Sequence, residues 1–390
     1  MTTTEGHERF SPVRRHDERV MPLELFFDLV FVLAITQCTG SMARDPTWAG
    51  MGEALLVLGV LWWSWVGYAW LTSVVDPEEG MVRLVMVAAM AAFLVAALAV
   101  PDAFGDLGLT LAVAYAVVRA AHIALFVLAS RGDPQLRRSV ASLAVSTAIG
   151  VGLLVAGAMV DSEGGRAAFW GLALALDMAG PFFFGSEGWR LEPGHFVERH
   201  GLIVIIALGE SIVAIGVGAE HGVDAGVIVA AVSGLVIAVA LWWAYFDVVS
   251  TLAGRRLLEA TPGREQNDLA RDAYSYMHFI LVAGIVLGAF GLKTTIAHVD
   301  EPLEIVPATA LCGGVALYLL GHVAFAARSF GSVKLQRLLT AFAALALIPV
   351  AVEIDALVTV VTLAALLSAL VTYETVHDAA TRNEVRHAAE

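Results

Sequence analysis

Carboxylates lie inside two long apolar stretches of the chain, where an isolated charge is costly. Glu24 and Asp28 are four residues apart, so a helix would place them one turn apart on the same face. Glu210, followed directly by Ser211, lies deep in the second stretch. Such acids need an ion-pair partner, a water-filled cavity or a bound cation. They predict either a site for a proton or cation, or a purely structural set of ion pairs.

A second group of ionisable residues lies on two other apolar stretches. Arg119 and His122 are about one turn apart near the middle of one stretch, and Asp177 lies near the middle of another. Because an arginine at that depth needs a carboxylate partner, we expect Arg119 to pair with Asp177 or with Asp28. The pair would either hold helices together or gate a pathway by breaking and re-forming.

The stretch that contains Glu210 begins with further ionisable groups, namely His195, Glu198, Arg199 and His200. Arg199 precedes Glu210 by about three helical turns, so the two lie on nearly the same face, roughly 16 Å apart. Glu210 would therefore reach the distant Arg119, stay protonated, or contact a bound cation.

Three ionisable residues, Asp247, His278 and His322, lie toward one end of three later stretches. Two imidazoles and a carboxylate suit a transition metal if they converge, but no His-x-x-x-His or Cys-x-x-Cys spacing accompanies them. We expect neither a metal nor a cofactor. The candidate pathway residues are Glu24, Asp28, Arg119, His122, Asp177, Glu198, Arg199, His200, Glu210, Ser211, Asp247, His278 and His322.

The composition determines the class of protein. Of 390 residues, 58% are hydrophobic and 15% charged, against about 45–50% and about 25% in soluble domains. This excess predicts an integral membrane protein whose main partner is the lipid bilayer. The formal net charge of -14 argues against binding to nucleic acid, and the absence of a Gly-x-x-x-x-Gly-Lys-Ser/Thr loop argues against an ATP-driven pump.

A helix needs about 20 apolar residues to cross a bilayer, and this rule predicts an all-α fold with about twelve transmembrane helices. The predicted spans are 22–43, 49–71, 81–100, 107–129, 138–160, 167–185, 196–219, 225–250, 272–292, 305–327, 334–352 and 355–373. Basic residues are concentrated in every second connecting segment. By the positive-inside rule, both termini are predicted to be cytoplasmic in a multi-pass protein.

Two halves of the chain resemble each other. Trp62-Trp63 in the second span is repeated as Trp242-Trp243 in the eighth, and His122 in the fourth span matches His322 in the tenth. We expect two parallel six-helix repeats at 22–185 and 195–373, joined by a cytoplasmic linker at 186–194. Cytoplasmic tails are expected at 1–21 and 374–390. Transporters often place their sites between such repeats.

Two motifs carry a family resemblance. The first is Leu23-Glu24-Leu25-Phe26-Phe27-Asp28 with Ala34-Ile35-Thr36-Gln37, and the second is His195-Phe196-Val197-Glu198-Arg199-His200 with Leu208-Gly209-Glu210-Ser211. Both resemble signatures of the bacterial low temperature requirement A (LtrA) family of membrane proteins. The resemblance implies a protein of the bacterial cytoplasmic membrane. It implies no substrate, because the family is named for a phenotype of growth in the cold.

Three kinds of function fit these observations. A secondary transporter or channel would move protons, cations or a small solute past the intramembrane carboxylates. A membrane-embedded enzyme acting on a lipid or isoprenoid would use the inner-side set Glu24, Asp28, His195, Glu198, His200, His278 and His322. A scaffold or sensor linked to cold adaptation would need no pathway at all. Transport is the preferred hypothesis, and assembly into a homo-oligomer is compatible with each of the three.

Overall fold

A computed structural model describes residues 19–78, 80–184 and 188–377. Within these ranges every regular element is a helix, as the apolar stretches predict. An isolated antiparallel β-bridge joins Pro302 and Asp355. Most of the two predicted tails and residues 186–187 of the predicted linker lie outside the described residues.

The α-helices follow the predicted apolar stretches. In chain order they are α1 (Pro22–Arg44), α2 (Trp48–Thr72), α3 (Gly80–Ala99), α4 (Gly108–Ala129), α5 (Pro134–Ala158), α6 (Glu163–Phe184), α7 (Pro193–Gly218), α8 (Ala225–Phe246), α9 (Val249–Glu259), α10 (Arg264–Leu269), α11 (Met277–Ala297), α12 (Ile305–Ala308), α13 (Gly314–Phe330), α14 (Leu335–Ala351) and α15 (Ala356–His377). Two π-helical segments, Ala270–Tyr276 and Thr309–Gly313, lead into α11 and α13.

Ten helices of the described residues are long and apolar enough to cross a membrane, judged by length and composition. They account for ten of the twelve predicted spans. The sixth and eleventh predicted spans are also helical, as α6 and α14, but they are not among the ten; α14 has only 17 residues. The chain is therefore a polytopic helical membrane protein, and the number of twelve crossings stays a prediction.

Local chemistry explains several helix ends. Asp133 precedes α5, and its side chain accepts hydrogen bonds from the amides of Gln135 and Leu136. Asp224 caps α8 in the same way through the amide of Val227. These acids satisfy amides that a helix N-terminus leaves unpaired. The eighth span was predicted to begin at residue 225, where α8 begins, whereas α5 begins at Pro134, before the predicted start at residue 138.

The polar segment between the eighth and ninth predicted spans differs from the expectation. The eighth span was predicted to end at residue 250, but α8 ends at Phe246 and a separate helix, α9, follows. The ninth span was predicted to begin at residue 272, but helical structure runs continuously from Arg264 to Ala297. The charged residues at the start of this run conceal its helix from a search for apolar residues.

The described residues divide into two compact units. Unit 1 consists of the described residues within Met1–Ser41, Gly52–Arg199 and Ala260–Asp268. Unit 2 consists of the described residues within Met42–Met51, His200–Glu259 and Leu269–Glu390. The core of unit 1 contains large buried side chains such as Trp62, Trp65 and Trp170. The core of unit 2 contains Tyr245, Tyr274 and Tyr318. The predicted internal repeat stays a prediction.

Candidate functional site

Unit 1 contains a buried polar cluster, here called the Arg199 network, formed by Glu24, Asp28, Trp65, Thr72, His195 and Arg199. Arg199 Nη1 donates to Glu24 Oε1 over 3.0 Å and also to the hydroxyl of Thr72. Arg199 Nη2 donates to Asp28 Oδ1 over 3.0 Å. One guanidinium therefore joins both carboxylates of the first predicted span.

Helical spacing assembles this network from three helices. On α1, Glu24 and Asp28 are four residues apart, and on α7, His195 and Arg199 have the same spacing, so each pair lies on one face. His195 Nε2 lies 2.8 Å from Glu24 Oε1. From α2, the indole of Trp65 donates to Asp28 Oδ1 over 2.7 Å. The prediction that Glu24 and Asp28 lie on one helix face is thus confirmed, whereas a functional site at these residues stays a prediction.

The Arg199 guanidinium also lies against two aromatic rings. Its Cζ atom is 5.8 Å from the ring centroid of Phe27 and 5.6 Å from that of Trp65. Contacts of this kind stabilise a cation, and they shield the ion pairs from solvent. Glu24, Asp28 and Arg199 each have 0% of their surface exposed.

One carboxylate oxygen of the Arg199 network has no hydrogen-bond donor. Asp28 Oδ1 accepts from both Trp65 and Arg199, but Oδ2 is buried and has no partner among the described residues. Buried polar atoms almost always have a partner, so such an atom marks a place for a proton, a water molecule or an ion. This atom makes the Arg199 network the strongest candidate site for proton or cation chemistry.

A second buried cluster in unit 1, the Arg119 network, consists of Tyr115, Arg119, Thr147 and Asp177. Arg119 Nη2 donates to the Thr147 hydroxyl over 2.7 Å and lies 4.0 Å from Asp177 Oδ2. The prediction that Arg119 pairs with Asp177 is confirmed. The alternative, a pair with Asp28, is wrong, because Asp28 bonds to Arg199 instead.

His122 lies one turn beyond Arg119 on α4 and bonds to the backbone of α2. Its Nε2 atom is 2.9 Å from the carbonyl oxygen of Gly67. A carbonyl can only accept, so Nε2 donates and carries the proton. The predicted residue is therefore bonded to a neighbouring helix rather than to a described acid.

Unit 2 contains a third cluster, the Arg337 network, formed by His322, Arg337 and Glu374. Arg337 Nε and Nη2 each donate over 2.8 Å to a different oxygen of Glu374, so the two residues form a bidentate ion pair. Arg337 Nη1 lies 2.7 Å from His322 Nδ1. Since a guanidinium only donates, His322 accepts at Nδ1 and its neutral ring carries a proton on Nε2.

His278 bonds to a carbonyl that the first π-helical segment releases. The amide of Met277 bonds five residues back, to Asp272 O. His278 Nδ1 lies 3.0 Å from Ala273 O, and the Tyr245 hydroxyl lies 2.8 Å from His278 Nε2. The change from π to α hydrogen bonding leaves the Ala273 carbonyl without a backbone amide, and the imidazole of His278 bonds to it instead.

The structure places the remaining predicted residues outside these three networks. Glu198 is exposed, and its carboxylate accepts from the amide of Val20 over 3.0 Å. His200 is buried, with its ring centroid 5.2 Å from that of His278. Glu210 and Ser211 are buried on α7, and Asp247 is half-buried at the end of α8. A role for these residues in a pathway stays a prediction.

The structure groups no three His, Cys, Asp or Glu side chains that could hold a metal within residues 19–78, 80–184 and 188–377.

The sequence prediction missed several members of the networks. Arg337 lies in the first turn of an apolar helix, where a basic residue resembles an ordinary flanking charge, and Glu374 lies in the last turns of α15, beyond the predicted end of the twelfth span. Thr72, Trp65 and Thr147 are common in membrane helices and gave no signal. The one usable signal is that Arg337 lies inside the eleventh predicted span, as His322 lies inside the tenth.

Two comparisons with known proteins find a match. A family model described as bacterial low temperature requirement A protein (LtrA) matches residues 19–372. A protein of Rhizobium meliloti (strain 1021), named uncharacterized protein RA0937, is 30% identical over 310 residues, which cover 76% of this chain and 75% of the relative. No solved structure matches the chain. The matched range contains all three networks except Glu374.

Proposed function

The chain belongs to the bacterial low temperature requirement A (LtrA) family, as its two signatures predict, and from this premise we propose that it is a transport protein. The proposed activity is that of a secondary transporter or channel, in the bacterial cytoplasmic membrane, that moves protons, cations or a small solute. The Arg199 network is the proposed proton or cation site, because it unites charged residues from both family signatures.

The observation that carries this proposal is the buried Oδ2 atom of Asp28, which has no hydrogen-bond partner among the described residues. Arg199 supplies one positive charge to the two carboxylates that it contacts. A proton or cation at Asp28 Oδ2 would supply a second positive charge and satisfy the free oxygen. Loss of that proton or cation would change the net charge of the network. Occupancy of the site would therefore be coupled to the ion pairs between α1 and α7.

The main test is flux in liposomes that contain the purified protein. A pH-sensitive dye inside the vesicles would report proton movement, and isotope uptake would report alkali cations and small organic ions. We expect wild-type flux above that of empty liposomes, and we expect Asp28→Asn to reduce it to the empty level. Asparagine keeps the size of the side chain but cannot carry the exchangeable charge.

Asp300→Asn is the matched control, because Asp300 is exposed and the substitution makes the same chemical change. This variant should retain wild-type flux. Asp28→Asn flux equal to that of the wild type, in a protein that elutes as a folded species, would contradict the role of Asp28. Wild-type flux equal to that of empty liposomes for every ion tested would contradict transport itself.

The enzyme hypothesis has its own readout. Purified protein incubated with a membrane lipid extract would generate a new lipid species, detectable by mass spectrometry. Such a product without any flux would favour a membrane-embedded enzyme over a transporter. The absence of both would favour the scaffold or sensor hypothesis.

A further inference from the structure

Arg119 is buried, yet its guanidinium makes few hydrogen bonds. It is 1% exposed, and its described contacts are a 2.7 Å bond to Thr147 and the 4.0 Å approach to Asp177. Its Nε atom is buried without a partner among the described residues. Arg337, by contrast, donates from all three of its side-chain nitrogens. Among the described residues, Arg119 therefore has fewer hydrogen-bond partners than Arg337.

Asp177 is held just as loosely. It is 6% exposed, its shortest hydrogen bond is a 3.4 Å contact from the Tyr115 hydroxyl, and its Oδ1 atom has no partner among the described residues. Two other buried carboxylates are bonded more closely, since Asp28 accepts at 2.7 Å and Glu374 at 2.8 Å. Burying a carboxylate with so few hydrogen bonds costs free energy, so the burial of Asp177 needs an explanation.

His122 adds an unused acceptor on the same helix face as Arg119. Its Nε2 atom donates to Gly67 O, so Nδ1 of the neutral ring is an acceptor, and this atom too is buried without a described partner. The neighbourhood thus has free donors on Arg119 and free acceptors on Asp177 and His122. A ligand that matches it must offer both an acceptor and a donor.

Two glycines allow the backbones of α2 and α5 to lie close to these groups. A Cβ atom at Gly67 would lie 3.0 Å from Arg119 Nη1, and one at Gly150 would lie 3.2 Å from the carboxylate of Asp177. Since contacts at these distances are tight, any larger side chain would crowd the charged groups. Both glycines lie within helices, where this residue costs about 1 kcal/mol relative to alanine.

We infer that the Arg119 network is a binding site for a small zwitterion, whose carboxylate binds Arg119 and whose ammonium group binds Asp177. A guanidinium is suited to a carboxylate, and the 4.0 Å separation within the Arg119–Asp177 ion pair is longer than a hydrogen bond. Arg119 and Asp177 together carry no net charge, so a ligand without net charge preserves the balance of a buried site. The groups lie near the middle of α4 and α6, a depth typical of solute sites in transporters.

This inference shares no residue with the Arg199 network and does not require transport. Its first test uses the wild-type protein alone, in detergent, with binding measured by calorimetry and by thermal stabilisation. The probes are glycine, β-alanine and γ-aminobutyrate, compared with acetate and methylamine, which each carry one of the two charges. We expect saturable binding of at least one zwitterion, about tenfold or more tighter than either single-charge compound.

The second test uses variants of the site. Arg119→Lys keeps the positive charge but loses the planar donors, and Asp177→Asn loses the negative charge, so each should weaken zwitterion binding about tenfold or more. Gly150→Ala leaves both charges in place and should weaken binding by crowding the carboxylate. Gly152→Ala is the matched control, because a Cβ atom there meets nothing within 4 Å.

The expected pattern is zwitterion selectivity in the wild type that Gly150→Ala reduces and Gly152→Ala preserves. Absence of saturable binding of all three zwitterions at millimolar concentrations would overturn the inference. Acetate binding as tight as that of the zwitterions would also overturn it, because Asp177 would then have no part in recognition. Flux through Asp28 without zwitterion binding would overturn this inference alone and leave the proposed function standing.

Discussion

The buried arginines of the three networks are satisfied to different degrees. Arg337 uses all its nitrogens, Arg199 divides its donors between two acids and a threonine, and Arg119 makes one short bond. A fully bonded arginine has a structural role, whereas one with free donors is suited to binding. The number of bonds therefore separates the scaffold of the protein from its candidate sites.

The stability of unit 2 should depend on the Arg337 network. Glu374→Met removes one partner of a buried ion pair and leaves Arg337 uncompensated, so we expect a loss of about 3–5 kcal/mol in the free energy of unfolding. The double variant Arg337→Met with Glu374→Met should be less destabilised than Glu374→Met alone, because no isolated charge is left. Tryptophan fluorescence during unfolding in detergent would measure both.

Glu304→Gln is the control for this experiment, because Glu304 is exposed and its side chain forms no described cap. Its free energy of unfolding should be close to that of the wild type. If Glu374→Met unfolded with the same free energy as this control, the ion pair would contribute nothing to stability.

At the scale of the elements, glycine controls how closely helices of unit 2 approach. A Cβ atom at Gly291 would lie 2.5 Å from the backbone nitrogen of Leu311, and one at Gly284 would lie 2.7 Å from Gly314 O. A Cβ atom at Gly288, on the same helix, would meet nothing within 4 Å. Close packing of α11 against the second π-helical segment and α13 thus depends on some of its glycines but not on all.

Gly291→Ala should destabilise the protein, because the added methyl group would force two backbones apart; overpacking of this kind costs about 1–3 kcal/mol. Gly288→Ala on the same helix should leave stability unchanged or raise it by up to about 1 kcal/mol, since alanine favours helix. Thermal unfolding of the two variants, side by side in one detergent, would measure the difference. Equal melting temperatures would contradict the proposed packing.

The sequence predicted the positions of the long apolar helices well, but it missed α9 and α10, and it predicted the partners of the buried charges less well. Apolar length alone located the helices, because a bilayer imposes that length on any spanning segment. It also gave Glu24 with Asp28, and Arg119 with Asp177, from depth and helical spacing. It could not pair Asp28 with Arg199, since that pair depends on how α1 and α7 pack, and it could not reveal the π-helical segments, which an apolar pattern does not encode.

At the scale of the whole molecule, the predicted orientation depends on basic residues. Two residues that the prediction counts as cytoplasmic flanking charges, Arg199 and Arg337, are buried in ion pairs. On the opposite side, Arg166 is also buried, where it donates to the carbonyls of Ala103 and Gly105. Orientation therefore depends on the remaining, exposed basic residues and needs a direct measurement.

Labelling with a membrane-impermeant maleimide would provide that measurement. With both termini cytoplasmic and twelve crossings, Glu301→Cys should be labelled in intact cells and Glu259→Cys only after permeabilisation, because both positions are exposed but lie on opposite sides. The native Cys38 and Cys312 are buried and should give little background. Labelling of both positions in intact cells, or the reverse pattern, would contradict the predicted topology.

The backbone strap around the bridge of Pro302 and Asp355 restricts how unit 2 can move. The amide of Leu303 bonds to Ala351 O, and the amides of Ala356 and Leu357 bond to Glu301 O and Val299 O. These bonds join the turn between α14 and α15 to the loop after α11. The three helices are therefore held together at one end. Any spreading of these helices that keeps the strap intact has to occur at their opposite ends, which include the Arg337 network.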